Sequence, residues 1–370
     1  MLTKCNHCEN ILGIPVYTPL NSSRNSKVYI CETCGLCQTI QDVNPKLGSG
    51  SLTSDAGYGN VRRAKGVRLD TQKINLHNIL SNLPKDSKVL DVGSSRGQFL
   101  KWCGENFSHL KYYGIEPDGR FAETNLGNAT KVEVAKLLDS NMVRESKFDF
   151  IFCNHTLEHF DDAKQNLELL RNIISEDGIL WIDVPNLEGI KDPMGVEEFF
   201  LDKHTFHFEP NTLENMLKSV GFRIIENYSD FLNLAVKLSP VLPIKSHEYA
   251  ASLTPEDFVA YADLLVHNRA NMSKVARQIE AISKVGIYGA GRILDALVKH
   301  GDFKHQEFTI ADRYLWESAT TIGINIQDPT SVDWTRFDTV VILARSSQEQ
   351  IKDWLRAKSV NNFITLDQLW

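Results

Sequence analysis

Two hydrophobic periods alternate along residues 61–240. Continuous apolar runs at 88–92, 112–116, 148–153 and 179–184 have the length and flanking turn residues of buried strands. Between them the apolar positions fall at helical spacing. Ile74, Leu76, Ile79, Leu80 and Leu83 predict a helix over 69–83, a second begins near Gln98, and a third covers 163–174. A helix over 211–220 is expected with Asn211 as its N-cap and Glu214 three residues later, followed by closing strands at 222–225 and 233–238. Strand and helix in alternation predict an open, mostly parallel sheet covered by helices on both faces.

The pattern restarts in a shorter form over 276–370. Strands are expected at 284–288, 308–312, 339–343 and 363–366, with helices after Gly291 and from about Gln348. This predicts a second, smaller Rossmann-like α/β domain, joined to the first by a helical stretch over 255–282. Ahead of both lies a region at 1–48 too short to bury much core, and then a linker at 46–60 rich in glycine and serine.

At 370 residues the chain has room for two or three domains. No apolar run reaches the ~18–20 residues of a membrane helix, and the first residues lack the apolar stretch of a secretory signal. A cytoplasmic protein without membrane partners is the expectation. The net charge of −7 and a pI near 5.9 argue against a polynucleotide substrate, because phosphate binders draw much of their affinity from a basic face.

Cysteine use adds a metal site. Of seven cysteines, five lie within the first 37 residues. Cys5 and Cys8 form one CxxC pair and Cys31 and Cys34 a second, the spacing of a zinc ribbon in which each turn aims two sulfurs at one ion. Cys37 and His7 are spare donors. Four protein ligands leave no open position, so the expected role is structural, with the metal supplying much of the folding energy. Cys103 and Cys153 read as buried thiols.

The candidate chemistry begins at Asp91-Val92-Gly93-Ser94-Ser95-Arg96-Gly97, a glycine loop between a strand and a helix where backbone approaches a ligand closely. The next strand ends in Glu116, whose carboxylate can accept both ribose hydroxyls of an adenosine. These residues resemble the first motif and the second-strand acid of the class I S-adenosylmethionine-dependent methyltransferases. Phe148-Asp149-Phe150-Ile151 followed by Asn154-His155-Thr156-Leu157-Glu158-His159 resembles their fourth strand and its loop, and Gly178-Ile179-Leu180 the turn into their fifth. The resemblance implies a class I methyltransferase fold that binds S-adenosylmethionine. Asp91, Gly93, Ser95 and Gly97 would lie at the methionine end, Glu116 on the ribose, and Asn154 and His155 over the cofactor.

The order of a zinc region at 1–48, a methyltransferase domain at 61–240 and a small α/β domain at 276–370 resembles the nucleotide-sugar C-methyltransferases. That resemblance implies a sugar or nucleotide sugar as the small-molecule substrate, destined for a surface polysaccharide or glycosylated metabolite. Those enzymes carry a Tyr-x-Glu-His cluster after the fifth strand. This chain keeps the histidine as His204 but has Leu201, Asp202 and Lys203 ahead of it. An alcohol needs only one base, so oxygen is slightly favoured over carbon as the methylated atom. His204 and His207 are the catalytic candidates, since a loop histidine near neutrality suits proton removal. Gly289-Ala290-Gly291 with Asp312 is an incomplete dinucleotide fingerprint; a nucleotide subsite or a packing role both remain open for that domain, as does the oligomeric state. Two other readings are an RNA or protein methyltransferase that docks through its zinc ribbon and a non-catalytic protein that binds S-adenosylmethionine.

Overall fold

Buried strands in this chain are apolar along nearly their whole length, and the reason is that helices cover both faces of the sheets they build. The computed structural model describes residues 3–20, 22–41, 67–122, 131–144, 146–230, 233–242, 252–316 and 324–370, so the linker expected at 46–60 lies outside the described residues. Contacts divide the described chain into two units. The first holds residues within 1–52, 68–191 and 198–259, and the second those within 192–197 and 260–370.

The first unit opens with a small antiparallel pair, β1 (Lys27–Ile30) and β2 (Cys37–Ile40), joined through the second CxxC turn. The helix Val67–Ser81 leads into β3 (Lys88–Val92), β4 (Lys111–Ile115), β5 (Lys131–Glu133), β6 (Phe148–Asn154) and β7 (Ile174–Pro185). A two-residue strand, β8 (Phe206–His207), precedes the closing pair β9 (Phe222–Asn227) and β10 (Asn233–Pro240). The main sheet runs β5-β4-β3-β6-β7-β10-β9, parallel from β5 to β7, with β10 antiparallel to both neighbours. Chain order reverses at β3, which lies between β4 and β6, and the carboxyl ends of the strands at such a switch point are where open α/β sheets bind ligands. Leu90, Ile151, Leu180 and Ile182 pack on one side of the sheet; Val89, Phe150, Phe152 and Trp181 pack on the other.

The second unit is an all-parallel sheet of order β13-β12-β11-β14-β15, built from β11 (Val285–Tyr288), β12 (Thr309–Ala311), β13 (Ile326–Gln327), β14 (Thr339–Ile342) and β15 (Phe363–Thr365). Helices Arg292–Gly301 and Gln348–Arg356 follow β11 and β14. Met272, Val275 and Ile279 of the long helix Pro255–Glu280 join this core. Asp312 accepts hydrogen bonds from the amides of Ala290 (2.9 Å), Tyr314 (2.8 Å) and Leu315 (3.1 Å), so its carboxylate closes the turn after β11.

Two local expectations change. The helix near 211 begins one residue earlier, at Pro210, and its N-cap is Glu209 rather than Asn211. Proline has no amide hydrogen to lose and a φ already suited to the first helical turn, so the cap moves ahead of it. The Glu209 amide donates to Thr212 Oγ1 at 3.1 Å, closing the reciprocal capping pair that Glu214 was expected to supply. The second change concerns 206–207, which form a strand. Cys37 pairs with His207 and Gln38 with Phe206, so β8 completes the sheet β1-β2-β8 around the N-terminal cysteines.

Candidate active site

The glycine loop leaves β3 by a sharp turn with φ values of 75° at Gly93, 47° at Ser95 and 71° at Gly97. The amides of Gly93 and Ser94 donate to Ile115 O at 2.8 and 3.0 Å, which ties the loop to the end of β4. Gly93 is required twice over: its φ is left-handed, and a Cβ there would stand 2.4 Å from Thr156 Oγ1. Thr156 itself donates to Val92 O at 3.0 Å and so brings the loop after β6 against the loop after β3.

Glu116 follows directly on β4. One carboxylate oxygen accepts the Ser95 amide at 2.7 Å and the other the Asp118 amide at 2.9 Å. Its carboxylate therefore holds the glycine loop to the turn after β4. Asp118 is bound by Arg120, whose Nε lies 2.9 Å from Oδ1. Asp91 is buried below the loop. Burial first, and the charge of Glu116 second, push its carboxyl well above the usual carboxylate range.

β6 runs one residue beyond the expected strand, to Asn154, and His155 opens the loop that follows it. His155 adopts a left-handed φ of 48° and donates its amide to Asp183 O at 2.7 Å. Its ring is buried between two acids, with Nδ1 3.3 Å from Glu158 Oε1 and Nε2 3.7 Å from Asp183 Oδ1. Gln72 also hydrogen-bonds Asp183. Glu158 and Asp183 were not among the residues singled out from sequence. The available signal was Glu158 standing between His155 and His159 in a loop that follows a buried strand.

The long loop after β7 brings His204 to this cluster. His159 and His204 stack edge to face, with ring centroids 4.8 Å apart. Donor atoms of Glu158, His159 and His204 all fall within 4.8 Å of one another. The His159 Nδ1 lies 2.8 Å from Lys203 O, which assigns the proton to Nδ1 and leaves Nε2 facing Glu158 Oε1 at 3.7 Å. Burial first, then the neighbouring His159 and Lys203, hold His204 well below the usual histidine range, below the near-neutral value expected from the sequence. His207 is placed differently. It is buried in β8, with Nε2 2.7 Å from Thr39 Oγ1, and burial lowers its pKa to about 3.

Asp202, two residues ahead of His204 and beside Lys203, which stands at the glutamate position of the resemblance, turns away from the cluster. It accepts hydrogen bonds from Ser22 Oγ (2.5 Å), the Ser23 amide (2.8 Å), Ser23 Oγ (2.8 Å) and Ser26 Oγ (2.8 Å). These donors hold its carboxyl below the usual range against the opposing effect of burial.

The four CxxC sulfurs also converge. Cys5 and Cys34 are 3.5 Å apart, Cys8 and Cys31 3.4 Å, and all four lie within 4.8 Å of one another. Sulfurs about 2.3 Å from one tetrahedral ion would stand about 3.8 Å apart, so the set fits a four-thiolate site. Cys37 and His7 are outside it. Hydrogen bonds from Cys34 and Cys5 hold Cys31 well below the usual thiol range, while Cys5 is pushed up to about 12, first by its bond to Cys31.

Residues 69–227 match the family model described as a methyltransferase domain. The match covers 159 of the 370 residues. It spans β3 to β9, and with them the glycine loop, Glu116 and the histidine cluster. Solved structures similar to the chain include an S-adenosylmethionine-dependent methyltransferase from Clostridium acetobutylicum, at 13% identity and a TM-score of 0.38, covering 52% of this chain and 95% of that one. The plantazolicin methyltransferase BpumL in complex with SAH is 13% identical with a TM-score of 0.42, covering 52% and 94%. The magnesium protoporphyrin IX methyltransferase of Synechocystis with bound SAM is 15% identical with a TM-score of 0.35, covering 52% and 88%. No curated protein sequence matches the chain. Among the described residues, no helix is long and apolar enough to cross a membrane.

Proposed function

We propose that the chain transfers a methyl group from S-adenosylmethionine to a sugar hydroxyl, nucleotide-linked or destined for a surface polysaccharide or glycosylated metabolite, with His204 as general base. The observation that carries this reading is His204 held edge to face against His159, in the loop that follows β6 at the carboxyl end of the sheet. Bound S-adenosylmethionine would supply an electrophilic methyl on a sulfonium. The chain's residues then have separate tasks. Gly93, Ser95 and Gly97 present backbone to the methionine end, Asp91 answers its ammonium, Glu116 accepts the ribose hydroxyls, and Asn154 and His155 wall the site. His204 takes the proton of the acceptor hydroxyl as the O–CH3 bond forms and the S–CH3 bond breaks. A neutral imidazole is the form that can accept that proton, and alignment supplies most of the remaining rate.

Oxygen is favoured over carbon because the one carboxylate of the loop motif, Asp202, is engaged by three serines and is not available to assist enolisation. Cys5, Cys8, Cys31 and Cys34 would hold a structural zinc ion. The test is transfer of labelled methyl from S-adenosylmethionine to a panel of nucleotide sugars, with His204→Ala beside the parent. Transfer that falls at least about a hundredfold in the variant supports the base. No transfer to any sugar, with tight cofactor binding retained, rules the reading out.

A further inference from the structure

Residues 198–207 of the loop that carries His204 are bonded at several points to the N-terminal segment. Glu198 accepts the Tyr17 hydroxyl at 3.1 Å and the Leu20 amide at 3.3 Å. Phe200 packs on the Tyr17 ring, centroids 5.2 Å apart. Asp202 takes the four bonds from Ser22, Ser23 and Ser26, and its carbonyl accepts Arg24 Nη1 at 3.3 Å and the Gln41 side chain. The Thr39 amide donates to Thr205 O at 2.8 Å, and Thr39 Oγ1 meets His207. His204 sits between Asp202 and Thr205, both of them held from the N-terminal side. The opposite side of the same backbone faces the site: the Thr205 amide donates to Glu158 O at 2.8 Å.

The cysteine turn feeds directly into this fastening. β1 ends at Ile30 and β2 begins at Cys37; between them the Cys31 amide donates to Leu36 O at 3.0 Å and the Gly35 amide to Cys31 O at 2.8 Å. An ion joining Cys31 and Cys34 to Cys5 and Cys8 would fix that turn, and with it the strand bearing Thr39.

We propose that the four-cysteine module is the mount of the acceptor loop, and that Asp202 and Thr39 are positioning residues that set the place of His204. Metal occupancy then governs methyl transfer through the loop, with the cofactor site left intact. This rests on the reading of His204 as the base. It also assigns a task to the carboxylate two residues ahead of His204: it works backwards, onto three serines, as an anchor.

The experiment compares the full chain with Asp202→Ala, Thr39→Val and Cys34→Ser, and with the parent after chelation of its metal. Three readouts are taken: hydrogen exchange at the amides of 205–208, calorimetric affinity for S-adenosylhomocysteine, and kcat separately from KM. Losing the four carboxylate bonds of Asp202, or the single bond of Thr39, should speed loop exchange at least about tenfold. Affinity for S-adenosylhomocysteine should stay within about twofold, while kcat falls at least about tenfold. Loop exchange that is unchanged in Asp202→Ala and after chelation overturns the proposal. So does a loss of S-adenosylhomocysteine binding in step with loop exchange, which would mark general unfolding. The exchange readout needs no acceptor, so it stands or falls separately from the sugar assignment.

Discussion

Thr39 Oγ1 lies 2.7 Å from His207 Nε2, joining a strand of the N-terminal sheet to a histidine 168 residues further along the chain. His207 is only 3% exposed, and burial brings its pKa to about 3 from an ordinary 6.5. A histidine buried neutral contributes stability that is present above its unfolded pKa and is lost as pH falls toward the folded value. Stability should therefore fall between about pH 6.5 and 3, with His207 contributing up to about 1.4 kcal/mol per pH unit. His207→Gln keeps an acceptor for Thr39 and removes the titration, so urea midpoints measured at several pH values should decline less steeply. An equal decline in both proteins would show that His207 does not titrate in this way.

Gly93→Ala places a methyl group against Thr156 at a left-handed φ of 75°. Strain of about 1–3 kcal/mol is expected. Because the clash is with the neighbouring loop, cofactor affinity should fall together with the denaturation midpoint. Wild-type affinity in a folded variant would mean that the loop tolerates the displacement.

Glu116→Gln retains one acceptor where the carboxylate has two. Either the Ser95 or the Asp118 amide then faces an NH2 group. A loss of about 1.5–3 kcal/mol, roughly ten- to a hundredfold in affinity for S-adenosylhomocysteine, is expected by calorimetry. Glu116→Asp, a carboxylate one methylene shorter, should recover part of the loss only if charge rather than reach is limiting.

Asp91 gives a linkage. Its raised pKa favours the protonated acid in the ligand-free protein, and an ammonium at the methionine end would favour the ionised form. Binding should release a proton and strengthen as pH rises toward the folded pKa of Asp91. Calorimetry in buffers of different ionisation enthalpy measures that proton directly. Asp91→Asn should abolish its release, and a release that persists in the variant assigns it elsewhere.

The main sheet was legible because its strands are continuous apolar runs closed by glycine or a polar turn; 88–92 and 148–153 fall within one residue of β3 and β6. The cysteine set was legible because CxxC spacing is itself a geometric statement, and the four sulfurs do converge. β8 was not legible. Two residues carry no period, and their partners Cys37 and Gln38 are far away in sequence. β5 and β13, of three and two residues, were missed for the same reason. The role of Asp202 was not legible, because a motif read along the chain does not reveal which way a side chain turns. Its partners Ser22, Ser23 and Ser26 sit in a polar stretch that reads as ordinary loop.

The small sheet is assembled from segments made at different times. When β2 leaves the ribosome, the strand that will cover its outer edge has not yet been synthesised. An uncovered edge is a template for pairing with other chains, and closing so long a loop is slow. A nascent chain that captures its metal early would hold β1 and β2 in register through that interval, and β8 would dock last. Mispairing at this edge should thus be most frequent in cells starved of the ion.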